Sequence, residues 1–133
     1  MLNQHEIFET LNMIDEQHLD IRTITMGISL YDCQSDDAKR LADKVYDKIM
    51  TSAKDLVKTG DELEKTYGIP IINKRLSVTP IAMLAAATKG SPVKFAHALQ
   101  KVADGTGVDY IGGYSALVQK GFSAGDKELI ESL

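Results

Sequence analysis

An α/β fold, with parallel strands joined by crossover helices, is the class the sequence predicts, and three observations carry it. Residues 20–30 and 69–79 are rich in β-branched side chains whose apolar pattern switches to a period of two, and 108–115 follows a pair of glycines as a third strand. Between these segments, apolar residues recur every three to four positions, the period of a helix with one buried side. A helix between two strands is a crossover, which makes the strands parallel and the connection right-handed.

Taken in order, Asn3 and Glu6 have the spacing of a capping box, and Ile7, Phe8, Leu11 and Ile14 then predict a first helix to about Gln17. Strand one follows from Asp20 to Leu30. Ser35 and Asp36 are N-cap candidates for a single long helix whose apolar stripe runs from Ala38 through Val45, Ile49 and Leu56 to Tyr67. Gly68 marks its end, and Ile69 to Thr79 reads as strand two, with Pro70 near its start where a missing N–H is tolerable. Thr79 and Pro80 then have the residue types of an N-cap and first turn for a short helix over Ile81 to Ala87, stopped at Gly90. Ser91 and Pro92 repeat the device for a helix packing through Phe95, Ala96, Leu99, Val102 and Ala103. Gly105 and Gly107 end it before strand three, from Val108 to about Ser115. Ser123 with Asp126 starts a last helix reaching Leu133, so the chain is expected to stop within an element.

A chain of 133 residues predicts one domain, and 44% hydrophobic with 26% charged residues excludes a largely disordered chain. The 15 basic and 19 acidic residues give a net charge of -4 with the signs mixed along the helices, which argues against nucleic acid as a partner. No secretory h-region and no bilayer-length apolar run is present, so the expected location is cytoplasmic, with no membrane partner. Cys33 is the only cysteine, which excludes an internal disulfide and a thiolate cluster within one chain. It reads as a small buried thiol in preference to a nucleophile.

Sorting strand residues by parity separates two faces. In strand one Ile24, Met26, Ile28 and Leu30 oppose Thr23, Thr25, Gly27 and Ser29; in strand two Ile72, Leu76 and Val78 oppose Asn73, Arg75, Ser77 and Thr79. Gly113 and Ser115 are expected to continue the small, polar set in strand three. Parallel sheets are normally apolar on both faces, so a polar face predicts either the wall of a barrel or cleft holding a polar ligand, or a sheet simply turned to solvent. Arg75 favours the first, because a guanidinium with hydroxyl and amide neighbours receives carboxylate or phosphate. The candidate ligand-binding residues are therefore Thr25, Ser29, Asn73, Arg75, Ser77, Gly112, Gly113 and Ser115, with an anionic small molecule as ligand.

Other motifs carry less. Gly112-Gly113 could admit an anion to backbone N–H groups, but a turn explains it better. Asp32, Asp36 and Asp37 read as helix-capping residues in preference to a cation site, and His5, His18 and His97, on predicted helices, lack metal-ligand spacing. Lys120 reads as a solvated lysine in preference to a phosphate contact. No metal is expected, and the residues name neither a cofactor nor a reaction.

Three stretches together carry a resemblance: Asp20-Ile-Arg-Thr-Ile-Thr-Met-Gly-Ile-Ser-Leu30 with Asp32-Cys33, Gly68-Ile-Pro-Ile-Ile-Asn-Lys-Arg-Leu-Ser-Val-Thr-Pro80, and Val108-Asp-Tyr-Ile-Gly-Gly-Tyr-Ser-Ala-Leu-Val-Gln-Lys-Gly121. In order and spacing they resemble the uncharacterised microbial PFL family, so labelled after a barrel similar to that of pyruvate formate-lyase. The resemblance implies an α/β barrel of about ten strands, of which residues 1–133 would be the N-terminal third, a fragment whose three strands cannot close a barrel alone. It does not bring radical chemistry, since nothing here matches a glycyl radical loop. The expected partners are the anionic ligand and either a second copy or the remaining part of the barrel. The alternatives are a non-catalytic assembly or regulatory subunit, and a truncated product with no activity of its own.

Overall fold

The computed structural model describes residues 3–119 and 121–133. Lys120, weighed above, lies outside them. The elements run α1 (Gln4–Asp15), β1 (Ile21–Ile28), a 3-10 turn (Tyr31–Cys33), α2 (Ala38–Ala53), α3 (Leu56–Tyr67), β2 (Ile71–Val78), α4 (Ile81–Ala85), α5 (Val93–Thr106), β3 (Tyr110–Gly112) and α6 (Ala124–Glu131). The three strands form one parallel sheet in the order β1-β2-β3. Parallel pairing follows from the two helical crossovers, as predicted.

The capping signals act much as the sequence suggests, with three corrections. The Asn3–Glu6 and Ser123–Asp126 capping boxes both form. The long helix is two helices, broken at Lys54 and Asp55, and its N-cap is Asp37, whose carboxylate accepts from Arg40 N at 2.7 Å, not Ser35 or Asp36. The apolar stripe continues across the break because Leu56 and Val57 still pack on the core. Thr79 does not cap α4: its hydroxyl accepts from Leu30 N at 3.0 Å, tying the end of β2 to the segment leaving β1. His18 lies past α1, with φ of 52°, in the turn that leads to β1.

The core fills one side of the sheet. Met26, Ile28, Leu76, Val78 and Ile111 pack against Leu41, Val45 and Ile49 of α2 and Phe95, Leu99 and Val102 of α5. Lys74 lies on the same side under α3. Its stem runs along Gly60, where a Cβ would come within 3.1 Å of Lys74 Cε, and its ammonium meets Asp61 at 3.1 Å and Glu64 at 3.3 Å. Asp61 first, then Glu64, holds the lysine pKa above its ordinary value. Ile72, assigned by parity to the helix-covered face, is 50% exposed, whereas Ile71 is 3% exposed; on β2 the core cluster begins only at Leu76.

Past the strands, α4 closes the C-terminal end of the sheet. Ile81 N donates to Gly113 O at 2.8 Å and Ala82 N to Ser115 O at 3.3 Å, and α6 lies on α4 so closely that a Cβ on Gly125 would sit 2.7 Å from Ala86 N. Only glycine permits that approach. No described helix is long and apolar enough to cross a membrane.

Candidate functional site

Pairing register decides which strand residues become neighbours. Thr25 pairs with Arg75 and Arg75 with Tyr110, so these three form one row across the sheet; Gly27, Ser77 and Gly112 form the next. Thr23 and Asn73 make a further pair, in which Thr23 Oγ1 donates to Asn73 O at 3.2 Å. Asn73 Nδ2 donates to Arg22 O, also at 3.2 Å. All lie on the side opposite the helices, where Thr23, Thr25, Gly27 and Ser77 are exposed and Asn73 and Arg75 half-buried.

Arg75 is the dominant charge on this face. Its guanidinium stands over the Tyr110 ring, 5.8 Å from the centroid, which fixes its direction along the sheet. Nε is closed off from solvent and has no hydrogen-bond partner. A buried, unpaired donor on a cation costs free energy, and an anion reaching it would relieve that cost.

Strand three departs from the expected parity. The β2–β3 register places Tyr110 and Gly112 on the polar face and Ile111 on the core side opposite Leu76. Gly113 and Ser115 lie beyond the strand. A Cβ on Gly113 would come 2.4 Å from Val78 Cγ2, so this glycine faces the core, and its φ of +135° suits the turn into α4 contact. Ser115 is exposed and its backbone serves α4. Ser29 follows the end of β1 and is exposed. The structure thus gathers Thr25, Asn73, Arg75, Ser77 and Gly112 and leaves Ser29, Gly113 and Ser115 outside the paired rows. Tyr110 is the member the sequence reading missed, because three paired residues are too few for parity to be read.

Cys33, Asp32 and Asp37 have structural roles. Burial pushes the Cys33 thiol pKa up, the direction opposite to that of an activated nucleophile. Asp32 pairs with Lys48, whose ammonium holds the carboxyl below its ordinary value, and Asp37 caps α2. Among the described residues no group of three His, Cys, Asp or Glu is placed to hold a metal ion.

Comparison with known proteins places this architecture in a family. The sequence is 60% identical over 129 residues to a UPF0210 protein of Ligilactobacillus salivarius, covering 96% of this chain and 29% of the relative. It is 56% identical over 134 residues to a UPF0210 protein of Clostridium perfringens, covering all of this chain and 30% of the relative. A third UPF0210 protein, from Lactobacillus helveticus, is 57% identical over 129 residues, with coverages of 96% and 29%. The chain therefore spans about three-tenths of the length of the curated relatives it matches. The family model described as "Uncharacterised ACR (DUF711)" matches residues 12–133, and the chain belongs to that family.

Proposed function

We propose that the polar sheet face is part of the wall of a larger α/β barrel of the pyruvate formate-lyase type, of which this chain is an N-terminal segment, and that it binds an anionic small metabolite. The observation that carries this reading is Arg75, held over Tyr110 with Nε unpartnered, paired between Thr25 and Tyr110 on the strand face that also carries Asn73 and Ser77. A guanidinium with free donors takes a carboxylate or phosphate in two parallel hydrogen bonds, and small neighbours leave room for it. The unpaired edges of β1 and β3 support the barrel, since further strands would satisfy their backbone groups.

A thermal-shift screen of anionic metabolites against the chain and its Arg75→Ala variant tests the binding reading. The expected result is a saturable rise in Tm of several degrees with a subset of carboxylates or phosphates, lost in the variant. Shifts that are absent, or the same in both proteins, would overturn it.

The same open edges favour a second reading, in which the chain is an assembly subunit whose sheet and exposed side chains, Tyr110 at 59% and Phe8 at 71%, pack on another polypeptide or a second copy. Light scattering that gives a monomer at all concentrations, with no binding of a hydrophobic dye, would remove it.

A further inference from the structure

On the other side of the molecule, away from the polar sheet face, α2 and α5 lie against each other and enclose a groove of about 520 Å³, within the range of small-molecule sites. Each helix presents to it residues at spacings of three, four and seven, which place them on one face. From α2 these are Lys39, Ala42, Asp43 and Tyr46, and from α5 Lys94, His97, Ala98 and Lys101. Ala42 and Ala98 are buried and form the floor; their small side chains keep the groove open between the helices.

The charge in the groove is one-sided. Three lysines face one carboxylate, in a protein whose net charge is -4. Among the described residues Lys58, Lys127, Lys48 and Lys74 pair with acids, whereas Lys44, Lys54, Lys65 and Lys89 do not; the groove differs in bringing three unpaired lysines around one cavity. Lys39, Lys94 and Lys101 make no ion pair among the described residues, and Asp104, one turn beyond Lys101, is engaged by Gln100 at 2.9 Å.

We infer that the α2–α5 groove binds a small anion carrying two or more linked phosphate groups, its phosphates held by Lys39, Lys94 and Lys101. Lys94 and Lys101 are two turns apart, about 10 Å along the helix, so a ligand with negative charge on several linked phosphates can meet both ammonium groups at once. Ammonium groups act on phosphate as point charges and need no fixed fork geometry, which suits flexible lysines at a groove rim. His97 between them adds a ring N–H donor, and the Tyr46 ring borders the same groove. This site is independent of Arg75.

Titration calorimetry of the chain with inorganic phosphate, pyrophosphate and tripolyphosphate at low and moderate salt tests it. The expected result is saturable binding that tightens at least about tenfold from phosphate to tripolyphosphate and weakens as salt rises. Lys94→Glu with Lys101→Glu should weaken tripolyphosphate at least about tenfold, whereas Lys65→Glu, the same charge change on α3, should leave it unchanged. All three lysines are exposed, and far-UV circular dichroism verifies folding; Lys101→Gln is the milder variant if the double one misfolds. Absence of saturable binding, no preference for linked phosphates, an equal loss in Lys65→Glu, or a short RNA binding as tightly as tripolyphosphate would overturn the inference. Loss in Arg75→Ala alone would move the binding to the sheet face.

Discussion

The guanidinium of Arg75 and the ring of Tyr110, on adjacent parallel strands and paired in register, stack at 5.8 Å on the sheet face that carries no helices. The contact sets where the charge points, and it exists only because β3 joins the sheet with an even residue opposite an odd one.

Replacing Tyr110 by Leu keeps apolar surface and removes the ring. Because the pair is partly exposed, the expected loss of stability is modest, about 0.5–1 kcal/mol in urea unfolding. The response to anions in the thermal-shift screen should fall as Arg75 loses its fixed direction. An unchanged response with the expected small loss of stability would mean that the ring does not position the cation.

Gly113→Ala should be severe. The backbone there has φ of +135°, and the new Cβ would lie 2.4 Å from Val78 Cγ2 and 2.8 Å from Val78 O, so either strain or displacement of the β2 end follows. A loss of about 2 kcal/mol or more is expected by urea unfolding. Gly27→Ala, where no atom lies within 4 Å of the added carbon, should cost less than about 1 kcal/mol. Equal losses at the two sites would contradict the packing described for the turn after β3.

Much of this architecture could be read from the chain because its signals are local. Capping boxes at Asn3 and Ser123, the αL glycines Gly68 and Gly107 that end α3 and α5, and the alternation in β1 are all properties of a few adjacent residues. What could not be read depends on long-range register. The break at Lys54–Asp55 carries no glycine or proline, and the apolar stripe passes through it unbroken. The N-cap shifts from Asp36 to Asp37 because several neighbouring side chains could each cap. Tyr110 joins the site, and Gly113 and Ser115 leave it, because the offset between β2 and β3 is a pairing between segments distant in sequence and is not written in the strand's own three residues. The groove between α2 and α5 depends on contact between helices far apart in the sequence.

Acid should weaken the last helix through Asp126. The hydroxyl of Ser123 donates to Asp126 at 2.6 Å and its backbone N–H at 2.8 Å, and these bonds, the hydroxyl first, hold the carboxyl pKa below its ordinary value of 3.8. A group depressed in the folded state adds stability at pH values above its unfolded pKa and loses it as pH falls through the folded one. Stability measured from pH 6 to pH 2 should therefore fall less steeply in Asp126→Asn, and in Ser123→Ala, than in the wild type. Parallel curves for all three would show that the cap is not linked to protonation.

Thiol labelling of a Ser77→Cys variant tests the central claim, that the helix-free face binds an anion through Arg75. Ser77 is exposed on that face, and the native Cys33 is buried and gives a slow background. Labelling by iodoacetamide should be fast in the free protein and slowed about tenfold at ten times Kd of the anion giving the largest thermal shift, with the slowing abolished by Arg75→Ala. A rate that no anion changes, or a slowing that survives Arg75→Ala, would contradict it.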